Sequence, residues 1–252
     1  MTIGNWTTIK LTEIEPHITV LALNRPEQRN ALNAQMAQEL EACLLVLKVR
    51  QDLRVLILTG EGTAFGAGAD LKERAKLTPE QTQEARVTFL RCLEMIEALR
   101  VPVIAMINGP AIAGAFECAL ACDIRVASDQ AFFSLPEVST LGAFPGAGGP
   151  VRLSRLVGRG RANLVVLTGR KFSAEEAFTL GFVEVVVTHS SLWDETSKLA
   201  RQIAANNAAG ISAAKQLIHQ SRDLDLQSAM ELSRILREPM DCNATVKPTA
   251  PE

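Results

Sequence analysis

Three stretches of the chain join small residues to acids in patterns that could do chemistry. The first, Phe65-Gly66-Ala67-Gly68-Ala69-Asp70-Leu71-Lys72, follows an apolar run and carries almost no side-chain bulk between Gly66 and Ala69. Backbone N–H groups in such a stretch can approach a ligand closely, although a tight turn accounts for the same composition. The second, at residues 108–117, reads NGPAIAGAFE and runs from a strand into a helix. A helix N-terminus offers unpaired N–H donors and partial positive charge, suited to an oxygen that gains negative charge. Glu117 falls in the first turn of that helix, where an acid complements the helix dipole in any case. Its neighbours Phe116, Cys118, Ala119 and Leu120 are apolar, so its carboxyl is either removed from water or lines a cavity, and both favour acid–base work. The third stretch, Leu135-Pro136-Glu137-Val138, sets a second carboxyl in apolar company and leads into LGAFPGAGGP at 141–150. Its glycines and prolines describe a folded-back loop, and Pro150 can start the helix that carries Arg152, Leu153 and Arg155.

These stretches hang on alternating strand and helix patterns. Residues 18–23 (ITVLAL) form a short apolar run ended by Asn24-Arg25-Pro26, a strand and its turn. Asn33 caps a helix in which Met36, Leu40, Cys43, Leu44 and Leu47 recur at helical spacing. Residues 54–59 (RVLILT) are a second buried strand, closed by Gly60-Glu61-Gly62. Thr78 before Pro79 opens a long amphipathic helix over 79–99. Strands follow at 103–107, 124–127 and 131–134. Strands alternating with helices imply an α/β fold with largely parallel pairing. From about Ser191 the pattern changes to three successive helices, over 193–206, 211–221 and 226–236. Residues 238–252, with three prolines and little periodicity, read as a loose tail. The expected division is an α/β body over 1–190 and a helical C-terminal region over 191–252.

Composition removes several function classes. With 252 residues, 47% apolar and 21% charged, the chain is globular with a sizeable core rather than disordered. Lys+Arg 26 against Asp+Glu 28 leaves a net charge of -2, and aromatics are 4% with no Tyr. Neither bulk positive charge nor stacking platforms for nucleic acid are present. The five cysteines are odd in number and sit mostly in apolar stretches, as reduced, buried thiols rather than a disulfide framework. Cys118 and Cys122 have no second Cys or His cluster nearby, so no zinc site is expected. His17, His189 and His219 lie in unrelated contexts. Dinucleotide, P-loop and serine-hydrolase signatures are missing. The opening residues lack a basic region followed by an apolar run, and no apolar stretch reaches the roughly 20 residues of a membrane span. A cytoplasmic address without membrane contact is the expectation.

Taken together, FGAGADLKE, VIAMINGPAIAGAFECALACDIRVAS and LPEVSTLGAFPGAGG followed by RLSRLVG resemble the crotonase (enoyl-CoA hydratase/isomerase) superfamily, from Asn24 through about Gly181 and more loosely beyond. The resemblance implies a spiral of ββα turns carrying an acyl-CoA site, with C-terminal helices that build a homotrimer, often paired into a hexamer. It places oxyanion-hole N–H groups on Ala69 and Gly114, and the two hydratase glutamates on Glu117 and Glu137, 20 residues apart. Lys72 matches a place associated with CoA contacts, and Ala67, Asp70, Leu71, Phe116, Leu135 and Phe144 fall where substrate is lined. The implied reaction is hydration of a 2-enoyl-CoA thioester without metal or redox cofactor, CoA being part of the substrate. A double-bond isomerase, or a catalytically weak acyl-CoA-binding member, stands as the alternative. The wording ADLKERAK and LACDIRVA is closest to the hydratase branch that includes methylglutaconyl-CoA-type enzymes. Departures from the family pattern bear on substrate range. Ala113-Gly114-Ala115 stands for the usual glycine triplet, Phe116 is bulkier than usual, Leu135 replaces a polar residue, and Pro150-Val151 replaces Thr-Gln. Residues 240–252 lack the family's closing acidic-glycine helix and Glu-Lys-Arg segment, from which a less stable trimer or weaker CoA binding is expected.

Overall fold

Two strands with apolar residues on both faces set the frame. β1 (Ile9–Glu15) turns back through His17, at φ 75, into β2 (Ile18–Leu23), every residue of which is buried. The computed structural model describes residues 4–241. After β2 the chain alternates: α1 (Ala34–Val49), β3 (Val55–Gly60), α2 (Leu71–Arg74), α3 (Pro79–Glu97), β4 (Val103–Ile107), β5 (Ala111–Ile112), α4 (Gly114–Ala121), β6 (Ile124–Ser128) and β7 (Phe132–Ser134). Next come α5 (Glu137–Thr140), α6 (Gly149–Val157), α7 (Arg159–Thr168), β8 (Phe172–Ser173), α8 (Ala174–Leu180), β9 (Val185–Val187) and α9 (Leu192–Ala204).

The main sheet has the order β1-β2-β3-β4-β6-β9, antiparallel at β1–β2 and parallel elsewhere. Side chains alternate across it as the pleat requires. Leu21, Leu23, Leu56, Leu58, Val103, Ala105 and Ile107 join the core with α1, α3 and α4, while Val20, Val55, Ile57, Ile104, Met106 and Val126 face the other way. Parallel strands need both faces covered, and the helices supply this. Asn33 caps α1, its Oδ1 accepting from Met36 N–H at 2.9 Å. Thr78 and Gln81 form a reciprocal capping box at the start of α3. A second, small sheet, β5-β7-β8, stands beside the main one.

The α/β reading with parallel pairing therefore holds, and the domain boundary moves. The chain forms two compact units, the first reaching Ala204 and the second beginning at Ala205, one helix later than the expected break at 190/191. The cause is α9, whose Leu192 and Ala200 complete the apolar cluster on the far face of the main sheet. In the second unit, α10 (Ala208–Gln220) packs against α11 (Leu226–Asp241). The helix α11 runs through Pro239 to Asp241, so the tail expected from 238 is helical at its start; the rest of it lies outside the described residues. Among the described residues Cys43, Cys92, Cys118 and Cys122 are buried free thiols, and burial pushes Cys43, Cys92 and Cys118 up to about 12. No group of three His, Cys, Asp or Glu among them could hold a metal, and no helix is long and apolar enough to cross a membrane.

Candidate active site

The small sheet brings the chemistry-bearing stretches together. β5 and β7 pair in parallel, Ala111 with Phe133 and Ile112 with Ser134. The first runs into α4 and the second toward α5. A third parallel neighbour is the glycine stretch: Gly66 N–H donates to Pro110 O and Ile112 N–H to Gly66 O, both at 3.0 Å. Segments 66–69, 111–114 and 133–137 thus leave the sheet side by side, which explains how residues so far apart in sequence share one region.

Two main-chain amides lie there without protein partners. Gly68 O accepts from Leu32 N–H at 2.7 Å and Leu32 O accepts from Asp70 N–H at 2.9 Å, which pins Ala69 from both sides. Neither Ala69 N–H nor Gly114 N–H donates to a protein acceptor in the hydrogen bonds of the described residues. The two segments touch. Gly68 has φ +80, and a Cβ built on it would meet Ala113 Cβ at 2.7 Å and Gly114 N at 3.4 Å. Gly114 opens α4, so its N–H is one of the helix's orphan donors. Ahead of it Ala113 caps the helix with φ 53 and ψ -127, without a side-chain cap bond, a backbone conformation that favours glycine.

Glu117 is 2% exposed. Its Oε1 accepts from Ala147 N–H at 2.8 Å and from Gly149 N–H at 2.7 Å. Burial pushes its carboxyl up to about 7; the nearby charge of Glu137 adds to the rise, and the two amides and the Arg152 guanidinium oppose it. Glu137 opens α5 and is 8% exposed. Its Oε2 is buried without a hydrogen-bond partner, and burial raises its carboxyl above the ordinary range. Hydroxyls of Ser139 and Thr140 donate to Pro136 O at 3.0 and 2.8 Å and fix the short turn that carries it. A buried carboxyl with a free oxygen, a second held by two amides, and two open N–H donors make a site for acid–base chemistry at a polarised carbonyl.

The other residues named from the sequence divide. Ala67 is half-buried, and Leu71, Lys72 and Phe144 are exposed. The Asp70 carboxylate already has partners. It caps α2 by accepting from Lys72 and Glu73 N–H at 3.2 and 3.1 Å and pairs with Arg25 at 2.9 Å. Phe116 and Leu135 are fully buried. The Phe116 ring lies 5.2 Å from that of Phe133 and 5.3 Å from that of Phe182, so its bulk fills the core. Three groups around Glu117 escape sequence reasoning: the Ala147 and Gly149 amides, which have no side-chain signature, and the Arg152–Glu97 pair behind them. A cavity of about 330 Å³ lies toward the far face, among Val20, Thr59, Met106, Asn108 and Trp193, and none of the residues proposed for chemistry lines it.

Residues 13–247 match the family model described as enoyl-CoA hydratase/isomerase. The chain is 35% identical over 221 residues to the short-chain-enoyl-CoA hydratase of Clostridium acetobutylicum, covering 87% of this chain and 84% of that protein. It is 37% identical over 229 residues to an enoyl-CoA isomerase/hydratase of Mycosarcoma maydis, covering 87% and 83%. A crystal structure of enoyl-CoA hydratase from Bacillus anthracis superposes with a TM-score of 0.91 at 39% identity, over 94% of this chain and 92% of that one. With a family model spanning nearly its whole length and relatives matched along both chains, this protein belongs to the enoyl-CoA hydratase/isomerase family of the crotonase superfamily.

Proposed function

We propose that the protein hydrates 2-enoyl-CoA thioesters, with Glu117 as base, Glu137 as acid, and the Ala69 and Gly114 N–H groups as the oxyanion hole. The observation that carries this reading is the unequal treatment of two buried carboxyls: Glu117 accepts two amide hydrogen bonds, whereas Glu137 keeps a bare oxygen. The thioester oxygen sits between the two amides. Glu117, as carboxylate, takes a proton from water; the hydroxyl oxygen bonds to Cβ, and the π electrons move onto the thioester oxygen as an enolate. Glu137, entering as the carboxylic acid, gives its proton to Cα as the enolate collapses. The enzyme then exchanges one proton with solvent to restore both carboxyls. Loss of one oxyanion donor typically costs about 2.7–4 kcal/mol of transition-state stabilisation, so the hole carries a large share of the rate. The CoA portion belongs to the substrate, and Lys72 with its neighbours Ala67 and Leu71 contacts it. Assembly into a trimer or hexamer through the C-terminal helices is part of the same reading, and light scattering measures it.

A second reading shares the site. Isomerisation of a 3-enoyl to a 2-enoyl thioester moves one proton between carbons, and the partner-free oxygen of Glu137 suits that task alone. Incubation with short, branched and aromatic 2-enoyl-CoAs, followed by mass analysis, tests the first reading by the gain of one water. Conversion of 3-enoyl-CoA without that gain, in a protein inert on 2-enoyl-CoA, replaces it with the second.

A further inference from the structure

Of the two amides that hold Glu117, that of Gly149 opens α6 and that of Ala147 belongs to a loop with little structure of its own. Residues 141–148 carry three glycines and a proline, with Gly142 and Gly148 at φ 60 and 91. What grips the loop next to Glu117 is a side chain. The Arg152 guanidinium, on α6, donates from Nη1 to Ala147 O at 2.6 Å. From Nε and Nη2 it donates to the two carboxylate oxygens of Glu97, on α3, at 2.9 and 2.7 Å. This is the bidentate geometry that fixes a guanidinium in place. Gly148 completes the fit, because a Cβ there would stand 2.4 Å from Arg152 Nη1. A continuous path therefore joins α3 to the carboxyl: Glu97, Arg152, the carbonyl and N–H of Ala147, Glu117. Both members of the pair are largely shielded, with 12% and 32% of their side chains exposed.

We infer that Arg152, oriented by Glu97, is a positioning residue that holds the Ala147 and Gly149 amides against Glu117 and so keeps its carboxyl aimed for its work as base. The inference rests on the proposed role of Glu117 as base. Its physical basis is twofold. The guanidinium fixes the carbonyl of Ala147, the residue whose N–H points at Oε1, and its positive charge favours the ionised carboxyl across a desolvated gap. Lysine at 152 keeps the charge but cannot hold a carboxylate and a carbonyl in one plane.

The experiment compares Arg152→Gln, Arg152→Lys and Glu97→Gln with the unaltered protein, using thermal unfolding, the pH profile of kcat/KM and substrate-free infrared titration of the Glu117 carboxyl. The carboxyl band is assigned by its loss in Glu117→Gln. Arg152→Gln is expected to lower kcat about 10²-fold, the scale of an ångström-sized misplacement. Its acid limb and the infrared midpoint should move up by about one pH unit through loss of an opposite charge. Arg152→Lys should keep the midpoint near that of the unaltered protein while losing rate, and Glu97→Gln should shift both readouts in the Arg152→Gln direction by less. A merely structural pair would lower Tm and leave both pH midpoints in place; that outcome in folded Arg152→Gln and Glu97→Gln overturns the inference. If Arg152→Gln does not fold, Glu97→Gln, at the more exposed member of the pair, decides alone. Absence of turnover in the unaltered protein overturns the hydratase reading instead, and the infrared midpoint, which needs no substrate, still judges this one.

Discussion

The α4 and α5 sides of the site treat the same side chain in opposite ways. Glu117 and Glu137 are buried to nearly the same extent, at 2% and 8% exposure, and burial raises both. On the α4 side that rise is opposed by two N–H groups and a guanidinium; on the α5 side the opposing contribution is a backbone hydrogen bond of Glu137 itself. The difference teaches that two carboxyls of one residue type, buried alike, can be given different surroundings by deciding where backbone donors point. It also shows where rigidity is invested. Glu117 is tied to a loop and two helices, whereas one oxygen of Glu137 is left bare.

Exchanging each carboxyl breaks the comparison most severely. Glu117→Gln and Glu137→Gln are each expected to lower the kcat of hydration by about 10²–10⁴-fold, the usual contribution of a positioned acid or base. They should differ on 3-enoyl-CoA: Glu137→Gln loses proton transfer there too, and Glu117→Gln keeps most of it. Equal loss on both substrates would mean that the two sides do not divide the labour.

Next in size is the stability effect of Glu117 on the α4 side. Folded Glu117 binds its proton more tightly than an unfolded glutamate, near 7 against 4.5. The folded state is therefore favoured most below about pH 4.5 and loses this contribution as pH rises toward 7, by about 3 kcal/mol in all. Thermal unfolding from pH 4.5 to 8 should show that decline in the unaltered protein and a flatter curve in Glu117→Gln, whose amide oxygen can still accept from Ala147 and Gly149. The variant should then be the more stable of the two at pH 8. A decline of the same steepness in both would assign the slope to other groups.

Gly149→Ala sharpens the comparison with one methyl. A Cβ there would stand 2.9 Å from Glu117 Oε1 and 3.0 Å from Cγ, so the carboxyl must swing away while Glu137 is untouched. Hydration kcat should fall about tenfold, the cost of a modest misplacement, with isomerisation of 3-enoyl-CoA nearly unchanged. Equal losses in the two reactions would place the damage in the loop rather than in Glu117.

These contrasts also mark where the sequence stops being readable. Apolar periodicity located β2, α1 and α3, because each is long enough to show its period. Acids in apolar company marked Glu117 and Glu137, because an ionisable group there needs a reason. The strands β5 and β8 are two residues long, shorter than any period can reveal, yet β5 sets the register that aligns Ile112 with Ser134. Phe116 and Glu117 are adjacent, and only the packing of α4 decides that the ring enters the core while the carboxyl meets α6. The amides of Ala147 and Gly149 and the Glu97–Arg152 contact are backbone and long-range features, with no local pattern to betray them. The stripe on α9 was visible as a helix, but the sheet face it covers was not.

The smallest expected effect concerns the entry to α4. Ala113 sits at φ 53 and ψ -127, whereas Pro136, the corresponding residue before α5, has φ -82. Backbone strain is therefore present on the Glu117 side and absent at the Glu137 entry. An L-residue in such a conformation costs roughly 1–3 kcal/mol, part of which glycine returns through its greater freedom when unfolded. Ala113→Gly should gain about 1 kcal/mol, or about 2–4 °C in Tm for a domain of this size. The gain is small because the Ala113 methyl also packs against Gly68, where a built Cβ would meet it at 2.7 Å. A lower Tm would mean that this packing outweighs the strain. A higher Tm joined to slower hydration would mean that the methyl, wedged between the two segments, holds the Gly114 N–H where the thioester oxygen needs it.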